Sequence, residues 1–90
     1  MDEIIIDEEL CKDVMQYLRI DDDIYENEVT NFIKSSITYF KTKTSDKFDY
    51  TKPYEKSILM DRVRYQFSRA TNEFESDFLS ELITLEELYE

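Results

Sequence analysis

Residues 22–41 read DDIYENEVTNFIKSSITYFK, and this stretch decides the fold class. Tyr25, Val29, Phe32, Ile33, Ile37 and Phe40 follow one another at spacings of 4, 3, 1, 4 and 3. A helix with 3.6 residues per turn gathers them into one apolar stripe. Asn27, Asn31, Lys34 and Thr38 fall on the opposite face. The run Asp21-Asp22-Asp23 supplies carboxylates that can cap the exposed N–H groups of a first turn. The spacing predicts a helix over about 22–41.

Upstream, Asp7 is a suitable N-cap, and Glu8 and Glu9 suit the positive end of a helix dipole. Leu10, Val14, Tyr17 and Leu18 repeat at helical spacing, which predicts a first helix over about 8–18, closed by Arg19-Ile20. Before it, Ile4-Ile5-Ile6 reads equally as an extended arm, a strand or a lead into that helix. Downstream, residues 42–52 (TKTSDKFDYTK) hold turn-forming side chains and no helical stripe, so a connecting loop is expected there.

Pro53 fits the first turn of a third helix, where a missing N–H costs nothing. That helix is expected over about 53–69, with Ile58, Leu59, Val63, Gln66, Phe67 and Ala70 facing inward and Lys56, Arg62 and Arg69 elsewhere around it. Thr71-Asn72 reads as a break. A fourth helix is expected over about 75–88, from Phe74, Phe78, Leu82, Leu85 and Tyr89 at spacings of 4, 4, 3 and 4. The expected architecture is thus all-α: one domain over 1–90, four helices, and one longer loop between helices two and three. Its expected core is Leu10, Val14, Leu18, Val29, Phe32, Ile33, Ile37, Leu59, Val63, Phe67, Phe78 and Leu82.

Composition supports this. The chain has no glycine and one proline, while β-sandwiches and barrels depend on tight turns that usually need glycine. The same lack excludes a glycine-rich phosphate loop. Seven Tyr and six Phe supply enough apolar area for one compact core. A lone cysteine, Cys11, cannot pair within the chain and reads as a small buried apolar residue. No run approaches the roughly 18 apolar residues of a membrane span. The Met-Asp-Glu-Ile start is unlike a secretory leader, so a soluble chain made in a cytoplasm is expected.

Catalytic residue sets are missing. Without histidine there is no Ser–His or Cys–His nucleophile pair, and one thiol with no imidazole cannot form the usual zinc sites. Asp21, Asp22 and Asp23 are consecutive, so they splay apart, and the spacing of a calcium loop is absent. They read as caps, and Glu86, Glu87 and Glu90 as solvated charges. No cofactor, no metal and no enzyme activity are expected.

Charge is unevenly distributed. The net charge of −11 divides into −8 over residues 1–40, +4 over 41–69 and −7 over 70–90. Acidic ends around a basic middle suit contact between identical copies, where unlike surfaces meet. An ordinary solvated surface accounts for the same pattern. Lys41, Lys43, Lys47 and Lys52 surround Phe48, Tyr50 and Tyr54, a mixture that suits nucleic-acid backbone and bases, but the chain as a whole repels phosphate. A small acidic helical protein can also imitate DNA, its carboxylates standing in for phosphates.

Two stretches carry a family resemblance. Val14-Met15-Gln16-Tyr17-Leu18-Arg19-Ile20-Asp21 precedes an acidic cap and a long amphipathic helix, and Phe74-Glu75-x-x-Phe78-x-Ser80-Glu81-Leu82-x-x-Leu85 follows a third helix bearing Arg64-Tyr65. In order and spacing, over nearly the whole chain, this resembles the head–tail connector (adaptor) proteins of tailed bacteriophages. The resemblance implies a small α-helical domain that assembles as a ring, commonly twelvefold, beneath the portal protein. The ring extends the DNA channel without binding DNA specifically and offers a surface to the next neck or tail protein. It places the chain in the virion, at the head–tail interface, after assembly in the host cytoplasm.

On that reading Phe48, Tyr50 and Tyr54 near the loop, and Leu85, Leu88 and Tyr89 in the tail, are candidate partner contacts. Arg62, Arg64 and Arg69 are candidate subunit-edge charges. The alternative from a different class is a monomeric acidic inhibitor or regulator, acting as a DNA mimic or binding a host protein.

Overall fold

A computed structural model describes residues 6–89. Of the Ile4-Ile5-Ile6 run, Ile6 packs half-buried against the core, and Ile4 and Ile5 lie outside the described residues. The fold is all-α. It comprises α1 (Glu8–Tyr17), a 3-10 turn (Asp23–Tyr25), α2 (Glu26–Lys43), α3 (Pro53–Phe67), α4 (Thr71–Asp77) and α5 (Leu79–Leu88). The long helix α2 packs against both α3 and α1, which also touch each other, and α4 packs against α3.

The first helix starts as its sequence dictates. Asp7 is extended (φ −67°, ψ 131°) and its side chain accepts the Glu9 N–H at 2.9 Å. Its end shows how a chain without glycine stops a helix. Arg19 adopts φ 59°, the left-handed conformation that glycine usually supplies. The Ile20 N–H then reaches the Met15 carbonyl at 2.9 Å, and the Arg19 N–H reaches that of Gln16 at 3.0 Å. The same motif ends α3, with Arg69 at φ 60°, Ala70 N–H on the Tyr65 carbonyl at 2.8 Å and Arg69 N–H on that of Gln66 at 3.1 Å.

Among the described residues five α-helices stand where four were expected, for two reasons. Thr71-Asn72 opens α4 instead of breaking the chain, because the Ala70 carbonyl accepts the Glu73 N–H at 2.9 Å. The expected helix over 75–88 is interrupted at Phe78 (φ −112°, ψ 22°). Spacings of 4 and 4 would keep Phe74, Phe78 and Leu82 within an arc of about 80° on a straight helix, so the apolar period does not mark the break. Across it Phe78 stacks on Phe74 (ring centroids 4.7 Å apart), while Leu82 and Leu85 turn inward and are buried.

The second helix is also displaced. Asp22 caps the 3-10 turn through the Ile24 N–H at 3.1 Å, and α2 itself begins only at Glu26. It runs on to Lys43, where the buried Thr44 hydroxyl donates to the Phe40 carbonyl at 2.9 Å.

Most of the expected core is buried, but Leu18, Phe32, Phe67 and Phe78 are only half-buried at its rim. Phe40, Phe48, Ile58, Phe74 and Leu85 take interior places that the expected core had left out, and Cys11 is buried as read. Tyr39, Phe40, Phe48, Tyr65, Phe74 and Phe78 form a connected aromatic cluster. Phe40 stacks on Phe48 at 4.9 Å and meets Phe74 edge-on at 6.1 Å, and Tyr65 meets Phe74 edge-on at 5.5 Å. Such pairs add to the area they bury.

Candidate partner-binding surface

The inner face of α3 is not wholly apolar. About 100° per residue puts Arg62 and Gln66 between Ile58 and Leu59 on the helix wheel, and Glu55 with them. Gln66 Oε1 accepts the fully buried Ser36 hydroxyl at 2.6 Å, tying α3 to α2. Arg62 is only 8% exposed, its guanidinium 3.8 Å from the centre of the Tyr39 ring and 5.4 Å from that of Phe74. Burial lowers its pKa, partly offset by Tyr39 and Glu75. Arg62 therefore does not stand at a subunit edge: it is an interior cation held by ring faces. Glu55 is also buried, and its Oε2 has no hydrogen-bond partner.

The other two candidate edge charges do face solvent. Arg64 is exposed, 3.8 Å from Asp61 on its own helix. Arg69 is exposed at the α3 terminus and makes no ion pair among the described residues.

The candidate partner contacts divide in the same way. Phe48 is 6% exposed and belongs to the core, because the 44–52 loop folds back to lay its ring on Phe40. Leu85 is fully buried. Neither offers a surface to a partner. Tyr50 is half-buried against the core. Tyr54 is exposed along one edge, and its hydroxyl donates to the Glu81 carbonyl at 3.1 Å, joining the start of α3 to α5. Tyr89 is half-buried, with Lys52 over its ring at 5.8 Å. Leu88 stays open at 59% exposure.

The residues missed by the sequence reading are Leu79 and Ile83, exposed on the outer side of α5, and Ile24, exposed beside the acidic 3-10 turn. The signal for the first two was available. Leu79 and Ile83 are four apart and lie off the Leu82–Leu85 stripe, so a second apolar line runs along α5.

Tyrosine–carboxylate bonds fasten the outside of the bundle. Tyr17 donates to Asp61 at 2.5 Å, Tyr39 to Glu75 at 2.7 Å and Tyr65 to Asp77 at 2.7 Å. At Tyr17 and Tyr65 the bond does most to favour the protonated phenol and burial adds to it, while at Tyr39 burial leads and the bond to Glu75 adds to it. Glu75 is held below the usual carboxylate range by the Tyr39 hydroxyl and by Lys43 at 3.7 Å. Lys56 bonds Asp13 at 2.6 Å across α1 and α3 and is held above its usual value.

Charge is polarised along α2. Its first turn carries Glu26 and Glu28 behind Asp21, Asp22 and Asp23, and its last carries Lys41 and Lys43, followed by Lys47. Lys43 is paired with Glu75, while Lys41 and Lys47 have no ion-pair partner among the described residues. Among these residues no group of three or more acidic or thiol side chains could hold a metal ion, and no helix is long and apolar enough to cross a membrane. Comparison with family models, with curated proteins and with solved structures yields no match to this chain.

Proposed function

We propose that this chain is a structural adaptor of a phage neck, a ring of copies seated beneath the portal that carries the DNA channel toward the next neck or tail protein. Its role is structural and not catalytic. The observation that carries the reading is the polarity of α2, acidic at its start and with the unpaired Lys41 and Lys47 at and just beyond its end. A closed ring is built from heterologous contacts in which two different surfaces of each copy meet, and opposite charge favours the correct meeting over the wrong ones. Carboxylates turned toward a lumen would repel phosphate and let the duplex slide, the reverse of counterion-release binding. The exposed apolar side chains of α5, Leu79 and Ile83 on one flank and Leu88 at its end on the other, among Glu81, Glu86 and Glu87, are the contacts we assign to the portal.

The test is co-sedimentation of the purified chain with portal-bearing particles of the same phage, with bare DNA as control. Saturable binding at ring-like stoichiometry and none to DNA is the expected result. A chain that stays monomeric, ignores the particles and displaces a DNA-binding protein from its site would replace the adaptor reading with the mimic.

A further inference from the structure

Between α1 and the start of α2 runs a groove of about 380 Å³. Its floor is apolar, made by Ile6, Cys11 and Met15. Its rim carries Glu8, Asp23 and Glu26, with Lys12 the one base that faces it. Asp7 also lines the groove, but its side chain is already engaged in capping α1. The three rim carboxylates have no ion-pair partner among the described residues. A groove with an apolar floor and acidic walls fits side chains with an apolar stem and a cationic head, which is the form of lysine.

We propose that the groove receives the lysine-bearing end of α2, Lys41 and Lys47, from a second copy of the chain, so that copies join head to tail. The occupant cannot come from the same molecule. Glu26 and Lys43 are the first and last residues of α2, about 25 Å apart at 1.5 Å per residue. The groove therefore lies at the start of α2 and the two lysines at and just beyond its end, and neither the rim carboxylates nor these lysines have an ionic partner among the described residues. Ile24, 74% exposed, and the exposed Tyr25 stand beside the rim and would add apolar area to the contact. The inference rests on the reading of the chain as one that assembles from like copies, and it names the two surfaces that meet.

Zero-length carboxylate–amine cross-linking at low ionic strength, followed by peptide mapping, tests it. The expected product is a dimer-mass species with Lys41 or Lys47 joined to Glu8, Asp23 or Glu26. The double variants Glu8→Lys/Glu26→Lys and Lys41→Glu/Lys47→Glu should each lose that product alone. An equimolar mixture should regain it, because each altered groove then meets an altered end of opposite charge. A misfolded variant could not give that rescue. No links between copies, links mapping elsewhere, or a mixture that stays monomeric would overturn the proposal. Links from the groove only to an added lysine-rich peptide would overturn it as well, and would give the groove to a different basic partner. The adaptor reading is separable. Ring-like binding to portal particles without groove links sinks this proposal and leaves that reading, while groove links without portal binding do the opposite.

Discussion

Charge reversal at Arg62 should unfold the protein, while the same change at Arg64 or Arg69 should not. Arg62 is 8% exposed, lies 3.8 Å from the Tyr39 ring centre, and its Nε has no hydrogen-bond acceptor. Arg62→Glu removes a desolvated cation–π contact of about 2 kcal/mol. It also turns a carboxylate toward the electron-rich ring faces with no cation to meet it, and an uncompensated buried charge costs about 3–5 kcal/mol. A chain of this length has on the order of 5–13 kcal/mol of net stability, so the loss takes a large part of it. With a urea slope of about 1 kcal/mol per molar, the combined loss of about 5–7 kcal/mol should lower the midpoint by about 5 M or more, or leave the chain unfolded in buffer. Arg62→Met keeps the length, discards the charge and the orphaned Nε, and leaves a thioether on the rings; it should cost within about 1 kcal/mol. Arg64→Glu and Arg69→Glu alter exposed side chains and should stay within about 0.5 kcal/mol. Urea unfolding followed by far-ultraviolet circular dichroism measures all four. An Arg62→Glu protein within 1 kcal/mol of its parent would refute the interior placement of this cation.

Arg19 and Arg69 sit in the left-handed region, so Arg19→Gly and Arg69→Gly should each raise stability by about 0.5–1 kcal/mol, the relief of strain exceeding the entropy that glycine adds to the unfolded chain; equilibrium unfolding reads this directly. Tyr17, Tyr39, Tyr54 and Tyr65 are all held above the ordinary phenol value of 10.0. A raised folded pKa gives stability that is complete below the unfolded value and is lost as pH rises through the folded one, so the urea midpoint should fall above about pH 10. Tyr39→Phe should flatten that fall. Phe48→Ala should cost about 3–5 kcal/mol, because it empties the place beside Phe40; a change under 1 kcal/mol in the same assay would return Phe48 to the surface. Leu88→Ser should leave the melt within about 0.5 kcal/mol and weaken sedimentation with portal particles, and unchanged sedimentation would remove Leu88 from the docking surface.

The all-α class and the inward stripes of α1 and α2 were legible because those helices are amphipathic over several turns. Val29, Ile33 and Ile37 fall where the period puts them. The boundary between α4 and α5 was not legible, since an apolar residue every four positions resembles one continuous stripe on paper. A straight helix would hold Phe74 and Leu82 within an arc of about 80°, narrow enough to bury both, so nothing in the period marks the break. The interior place of Phe48 was hidden for another reason. It depends on a loop folding back to meet Phe40, a contact set by tertiary packing and not by any local pattern.

The candidate surface was read less well than the fold, and Arg62 shows why. A cation in a helix is taken as solvated by default, since unpaired charges are seldom buried. Here the wheel position was the better guide: Glu55, Arg62 and Gln66 lie among Ile58, Leu59 and Val63, in the middle of the buried face. The basic middle of the sequence is thereby divided by structure. Arg62 goes to Tyr39, Lys43 to Glu75 and Lys56 to Asp13. Among the lysines of the basic stretch, Lys41 and Lys47 remain without an ionic or aromatic partner among the described residues. The internal partners that take up most of the other bases also narrow the surface available to a partner: the basic contact that the sequence spread over 41–69 contracts to the end of α2, opposite the acidic groove, and to the exposed Arg69 at the end of α3.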